Sequence, residues 1–105
     1  MDLDRICEHV LAYVEFKLTE NHVEARKRFV AAINDMPEFM DCLRIDGEFD
    51  FISFSCFPDI KALNNACDRL SQNNKLAIEN VRIRMILERA KWFLGYPLEK
   101  LRWLE

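Results

Sequence analysis

The chain has 105 residues and a formal net charge of −3, and half of its residues are hydrophobic. This length fits one domain built around one hydrophobic core. With only 2 glycines and 3 prolines, the composition disfavours intrinsic disorder and low-complexity linkers. The acidic balance argues against direct nucleic-acid binding, because contacts to phosphates need a basic surface.

The chain carries no sign of a membrane segment or of a metal site. No apolar run approaches the roughly 20 residues of a membrane-spanning helix, and the opening MDLDRICEH lacks a signal-peptide core. We therefore expect a cytoplasmic protein that binds no membrane. The cysteines are Cys7, Cys42, Cys56 and Cys67. Their spacing is unlike that of zinc ligands, which predicts reduced thiols and neither a metal nor a cofactor.

The first half of the chain reads as a strand followed by a helix. Apolar residues alternate from Val10 to Phe16, which predicts strand one. Thr19 is a candidate N-cap for an amphipathic helix, with His22 expected as a solvated residue of its first turn. Pro37 ends this helix, because proline and the residue before it both disfavour helical continuation.

A hairpin follows the helix. Two β-rich runs, 39–45 and 49–57, flank the dipeptide Asp46-Gly47. This dipeptide tolerates positive φ and predicts a two-residue turn that places Arg44 opposite Phe49.

The last elements are a second helix and a fourth strand. Pro58-Asp59 supplies a break and an N-cap for a helix that ends near Asn73, and alternation over 81–87 predicts the strand. The order βαββαβ is that of an α+β, ferredoxin-like fold, with two helices on one face of a four-stranded antiparallel sheet. The two predicted helices leave the opposite face of the sheet uncovered, and this face holds Leu11 and Tyr13. An exposed apolar patch there predicts a dimer with sheets packed face to face, a dimeric α/β barrel.

The single domain over 1–105 divides into a core at about 9–90 and a tail at 91–105. The tail, KWFLGYPLEKLRWLE, holds both tryptophans of the chain. Because the small core is already complete, we expect the tail to contact a neighbouring subunit. The alternative is that it packs back on its own subunit.

The run PEFMDCLRIDGEFDFISF and the later ILERAKWFLGYPL resemble the carboxy-terminal effector domain of the Lrp/AsnC family, the regulation of amino acid metabolism (RAM) domain. The acid-rich strand after Pro37, the turn from Gly47 to Asp50, and Lys91 with Pro97-Leu98 carry the resemblance. It implies a homodimer that assembles further, commonly into an octamer, with an amino-acid effector bound between dimers near the glycine turn.

Most members of this family carry a helix-turn-helix before the effector domain, whereas only about nine residues precede strand one here. The resemblance therefore implies a stand-alone effector domain that senses an amino acid or similar small molecule. Such a domain modulates transcription through its own oligomerisation or through co-assembly with a full-length regulator of the same family, with no direct nucleic-acid contact.

The turn supplies the candidate ligand-binding residues, which are Asp50, Gly47, Asp46, Arg44 and Glu48. Gly47 lets backbone N–H groups approach a carboxylate, Asp50 or Asp46 would receive an ammonium group, and Arg44 would hold a carboxylate through two hydrogen bonds. In the alternative interpretation Gly47 only makes the turn, and the acids satisfy local backbone groups.

Two other functions stay open at this point. Small enzymes, including monooxygenases and haem- or siroheme-handling proteins, share the dimeric ferredoxin-like fold. No motif for a nucleophile, a metal or a phosphate loop occurs, so no catalytic residue is predicted. A ligand-free assembly partner that caps a regulator's oligomer is the second alternative.

Overall fold

The computed structural model describes residues 9–88, 90 and 91. Their elements in chain order are β1 (Val10–Leu18), α1 (Val23–Asn34), β2 (Leu43–Arg44), β3 (Phe51–Phe57), α2 (Ile60–Gln72) and β4 (Ile78–Met85). The strands form one sheet in the order β2-β3-β1-β4, and each neighbouring pair is antiparallel. The α+β, ferredoxin-like prediction is therefore confirmed. The predicted tail, apart from its first residue, lies outside the described residues.

The hydrophobic core lies between the sheet and the two helices. Alternate residues of β1 point into it, and Val14 and Phe16 are completely buried. The ring of Phe29, from α1, lies 4.9 Å from that of Phe16 and 4.8 Å from that of Phe51. From α2, the buried residues are Leu63, Ala66, Cys67 and Leu70. Both helices therefore cover the same face, as the fold class requires.

The first helix begins later than predicted. β1 continues to Leu18, and the backbone N–H of Thr19 donates to the carbonyl of Ala77 at 2.8 Å, which keeps Thr19 beside the sheet. The N-cap is His22, whose Nδ1 accepts from the N–H of Ala25 at 3.2 Å. The prediction that Thr19 caps the helix was therefore wrong. His22 is exposed, as expected, but it is the N-cap of the helix and not a residue of its first turn.

The hairpin register also differs from the prediction. Arg44 pairs with Phe51, not with Phe49, and the N–H of Ile45 donates to the carbonyl of Asp50 at 3.0 Å. Residues 46–49 therefore form the turn. The extra length arises because Phe49 is buried and the N–H of Asp50 donates to the carbonyl of Phe16 on β1 at 2.9 Å.

The second strand is shorter than the sequence suggests. Before Leu43, only Phe39 makes an isolated bridge, to Ser55. Between them Asp41 breaks the regular ladder, since its carboxylate accepts from the N–H of Phe54 at 2.7 Å and its carbonyl accepts from the hydroxyl of Ser53. A side chain thus replaces a backbone acceptor at this edge of the sheet.

The second face of the sheet, which we call the open face, carries apolar side chains that neither α1 nor α2 covers. Tyr13 is 42% exposed, and its ring lies 5.4 Å from that of Phe54. Leu43, opposite Ile52 in the ladder, is 54% exposed. Leu11 belongs to the same face but is buried. The predicted apolar residues therefore lie on the open face, and Tyr13 and Leu43 are its exposed apolar side chains.

Candidate functional site

The turn at 46–49 presents two carboxylates and a glycine to solvent. Asp46, Gly47 and Glu48 are all exposed. Gly47 has a φ of 105°, a conformation that favours glycine, and a Cβ placed there would meet nothing within 4 Å. Backbone geometry, rather than crowding, therefore explains the glycine. The space around it leaves the turn backbone accessible to a small molecule.

Asp50 directly follows the turn, and its carboxylate accepts hydrogen bonds from other residues of the chain. Its Oδ2 accepts from the N–H of Leu18 at 2.7 Å, where the β1–β4 register shifts, and its Oδ1 accepts from the side-chain amide of Asn21 at 2.8 Å. Asn21 in turn accepts from Arg26 at 3.0 Å. Asp50 therefore connects the turn to the end of β1 and the start of α1.

Arg44 lies on the helix side of the sheet. Because it pairs with Phe51, its side chain is on the face that α1 covers, and it lines a groove of about 480 Å³ together with Phe51 and residues of α1. The structure thus brings four of the predicted residues together in and behind the turn. Arg44 faces this neighbouring groove, and it forms no ion pair with another described residue.

A charged cluster on the open face was missed at the sequence level. Glu15 is only 7% exposed; its carboxylate accepts hydrogen bonds from Arg82 at 2.8 Å and 3.1 Å and forms an ion pair with Arg84 at 2.7 Å. The Arg82 guanidinium carbon lies 4.3 Å from the ring centre of Phe49, which joins the cluster to the turn. The available signal was that Glu15, Arg82 and Arg84 occupy alternate strand positions, but their contact depends on the β1–β4 register.

The arginines change the acid–base behaviour of Glu15. The hydrogen bond from Arg82 holds the pKa of the Glu15 carboxyl below its ordinary value, against the opposing effect of burial. The same hydrogen bond raises the pKa of Arg82. The carboxylate is therefore ionised at neutral pH, and it holds two guanidinium groups, of which that of Arg82 lies against Phe49 in the turn.

The three thiols that the structure describes are poorly suited to nucleophilic chemistry at neutral pH. Cys42, Cys56 and Cys67 are free, and burial raises the pKa of Cys42 and of Cys67 to about 11. Within 9–88, 90 and 91, no group of three His, Cys, Asp or Glu side chains is placed to hold a metal ion. In the same part of the chain, no helix has the length and apolar character needed to cross a membrane.

Solved structures of other proteins share the fold of this chain. Structures with the same fold include an AsnC family regulator from Agrobacterium tumefaciens (TM-score 0.75, 23% identity, 96% of this chain and 65% of that one). They also include a regulator from Neisseria meningitidis in complex with L-Met (TM-score 0.77, 20% identity, 96% of this chain and 64% of that one).

Sequence comparison agrees with the structural match. The DNA-binding transcriptional activator DecR of Escherichia coli K12 is 26% identical over 99 residues, which is 94% of this chain and 64% of DecR. The chain thus spans just under two thirds of the relatives that it matches. The family model for the Lrp/AsnC ligand binding domain matches residues 11–92. The chain belongs to the Lrp/AsnC ligand-binding domain family.

Proposed function

We propose that this protein binds an amino acid or a similar small molecule in the cytoplasm and thereby modulates transcription. Membership of the ligand-binding domain family over residues 11–92 is the observation that carries the proposal. Two relatives support it, since DecR is a DNA-binding transcriptional activator and the Neisseria meningitidis regulator was solved with L-Met. The domain acts either through its own oligomerisation or through co-assembly with a full-length regulator of the family.

The turn is the proposed effector site. An amino acid needs an acceptor for its ammonium group and donors for its carboxylate. The exposed carboxylates of Asp46 and Glu48 supply the acceptors, and the open backbone around Gly47 supplies the donors. Asp50 positions this turn through its hydrogen bonds to Leu18 and Asn21.

Assembly through the open face is the proposed route from binding to regulation. The exposed Tyr13 and Leu43 lie on this face, and burying apolar surface against a second copy would stabilise a dimer. Phe49 and Arg82 connect the turn to the same face. A ligand at the turn would therefore act beside a subunit interface, which is the requirement for coupling binding to assembly.

Thermal melting of the protein against each of the twenty amino acids tests the proposal, with light scattering on every hit. A ligand that binds only the native state raises its melting temperature. We expect a rise with at least one amino acid, together with a change in particle mass. If none produces a rise, the sensing role is wrong. A rise with haem or siroheme alone would favour the enzyme alternative.

Single substitutions test whether the turn is the effector site. Asp46→Asn removes one exposed turn carboxylate without touching the core, and we expect it to weaken amino-acid binding by about tenfold, as for loss of one charged hydrogen bond. Asp68→Asn, which removes an exposed carboxylate on α2, is the matched control. Equal affinity in both variants would exclude Asp46 from the site.

A further inference from the structure

The open groove beside Arg44 is large enough to hold a small molecule. It runs between α1 and the sheet edge formed by β2 and β3, and its volume is about 480 Å³. That volume lies within the range of about 300–1,000 Å³ for sites that bind small ligands. The floor is apolar, formed by Val30, Ala31 and the buried Phe51, and Val23 adds an exposed apolar side chain.

The charged residues around this groove all have the same sign. Its three charged lining residues are Arg26, Lys27 and Arg44, and the described lining includes no Asp or Glu. Arg26 is held in place because its Nη1 donates to the backbone and side-chain oxygens of Asn21 at 2.9 Å and 3.0 Å. Neither Lys27 nor Arg44 forms an ion pair with another described residue. The groove therefore combines an apolar floor with cationic donors that have no partner carboxylate in the described part of the chain.

We propose that this groove binds a small carboxylate with a branched or aromatic apolar body and no ammonium group, such as an α-keto acid. The cations would bind the carboxylate, and the floor would bind the apolar body. A free amino acid fits less well, because its ammonium group would meet three cations and no acceptor carboxylate. The turn has the opposite character, with its exposed Asp46 and Glu48. The inference does not rest on the proposed function at the turn.

Isothermal titration calorimetry of the full chain with α-ketoisocaproate tests this site, and leucine is the matched ligand because it has the same apolar body. We expect α-ketoisocaproate to bind to the wild type. Arg44→Gln, which removes one donor to the carboxylate, is expected to weaken that binding by about tenfold. Lys61→Gln, which removes an exposed cation on α2 outside the groove, should leave the affinity unchanged. No heat with α-ketoisocaproate, or equal weakening by both variants, would overturn the proposal.

A second variant separates this site from the turn. Ala31 is exposed in the groove, and Ala31→Trp would fill the space above Phe51 without changing a charge. We expect Ala31→Trp to abolish α-ketoisocaproate binding and to leave any leucine binding at the turn intact. Loss of leucine binding alone would place the apolar-carboxylate site elsewhere and overturn the inference. A change in particle mass would assign the groove to a subunit contact, which also overturns it.

Discussion

Glu15 illustrates how the fold creates chemistry at a single residue. It is a carboxylate on the open face, yet its side chain is only 9% exposed because Arg82 and Arg84 cover it. Two charge-assisted hydrogen bonds from Arg82 and an ion pair with Arg84 compensate for its loss of hydration. The arginines themselves remain partly exposed, so the cost of losing their partner is lower than in a dry interior.

We therefore expect Glu15→Gln to lower the free energy of unfolding by about 1–2 kcal/mol at neutral pH. Because the pKa of Glu15 in the folded state lies below its ordinary value of 4.5, this stabilisation is complete above that value and is lost as the pH falls through the folded-state pKa. The difference between wild type and variant should thus shrink on acidification. Urea titrations at several pH values measure it, with Glu88→Gln as the exposed control. A difference that grows on acidification would contradict the assignment.

Among the residues that the structure describes, Ala77 is the non-glycine residue whose backbone φ is positive, at 51°. An L-residue with a Cβ is strained there, whereas glycine is not. We expect Ala77→Gly to raise the free energy of unfolding by about 0.5–1 kcal/mol, measured by urea denaturation. Ala31→Gly, in the exposed interior of α1, should lower it by about 1 kcal/mol. Destabilisation by both changes would argue against strain at position 77.

At the scale of secondary-structure elements, the two helices begin at N-caps whose hydrogen bonds differ in length. Asp59 accepts from the N–H of Ala62 at 2.7 Å, whereas His22 accepts from the N–H of Ala25 at the longer distance of 3.2 Å. The sequence predicted Asp59 because Pro58 isolates it at the end of a strand. It missed His22, because Thr19 is the stronger capping residue by type and only the extension of β1 to Leu18 excludes it.

Asp59→Ala should lower the free energy of unfolding by about 1 kcal/mol, since α2 loses its capping acceptor. Asp59→Asn retains an acceptor oxygen and should recover most of the loss. Thermal denaturation followed by circular dichroism compares the two variants. If asparagine and alanine are equally destabilising, charge rather than capping explains the role of Asp59.

At the scale of the whole molecule, the open face is the surface through which we propose that two copies assemble. Tyr13 and Ile60 are both exposed apolar residues, at 42% and 54%, but Tyr13 lies on the open face and Ile60 at the start of α2. Tyr13→Lys adds a charge close to Arg84, its partner across the β1–β4 ladder.

We expect the wild type to be at least a dimer by light scattering, Tyr13→Lys to be shifted towards the monomer, and Ile60→Lys to keep the wild-type mass. Burying an unpaired lysine against a second sheet is costly, and this is the physical reason for the shift. A monomeric wild type, or the same mass for all three proteins, would exclude the open face as the interface.

Local patterns in the sequence determined the order of the elements and therefore the fold. Alternation of apolar residues with period two indicated β1 and β4, and helical spacing of apolar residues indicated α1 and α2. Pro37 was sufficient to predict that α1 ends before it, and Asp59 to predict where α2 begins. Each of these signals acts over a few neighbouring residues, so it can be interpreted without knowing the rest of the structure.

Tertiary structure alone decided the details of the candidate sites. In the register that sets Arg44 opposite Phe51, Phe49 is buried and contacts Arg82, a residue far away in the chain. The partners of Glu15 depend on the β1–β4 pairing, and the cationic groove depends on how α1 lies across the edge of the sheet. Contacts between distant segments are weakly encoded in any one stretch of sequence, because a shift of one residue in register exchanges the two faces of a strand.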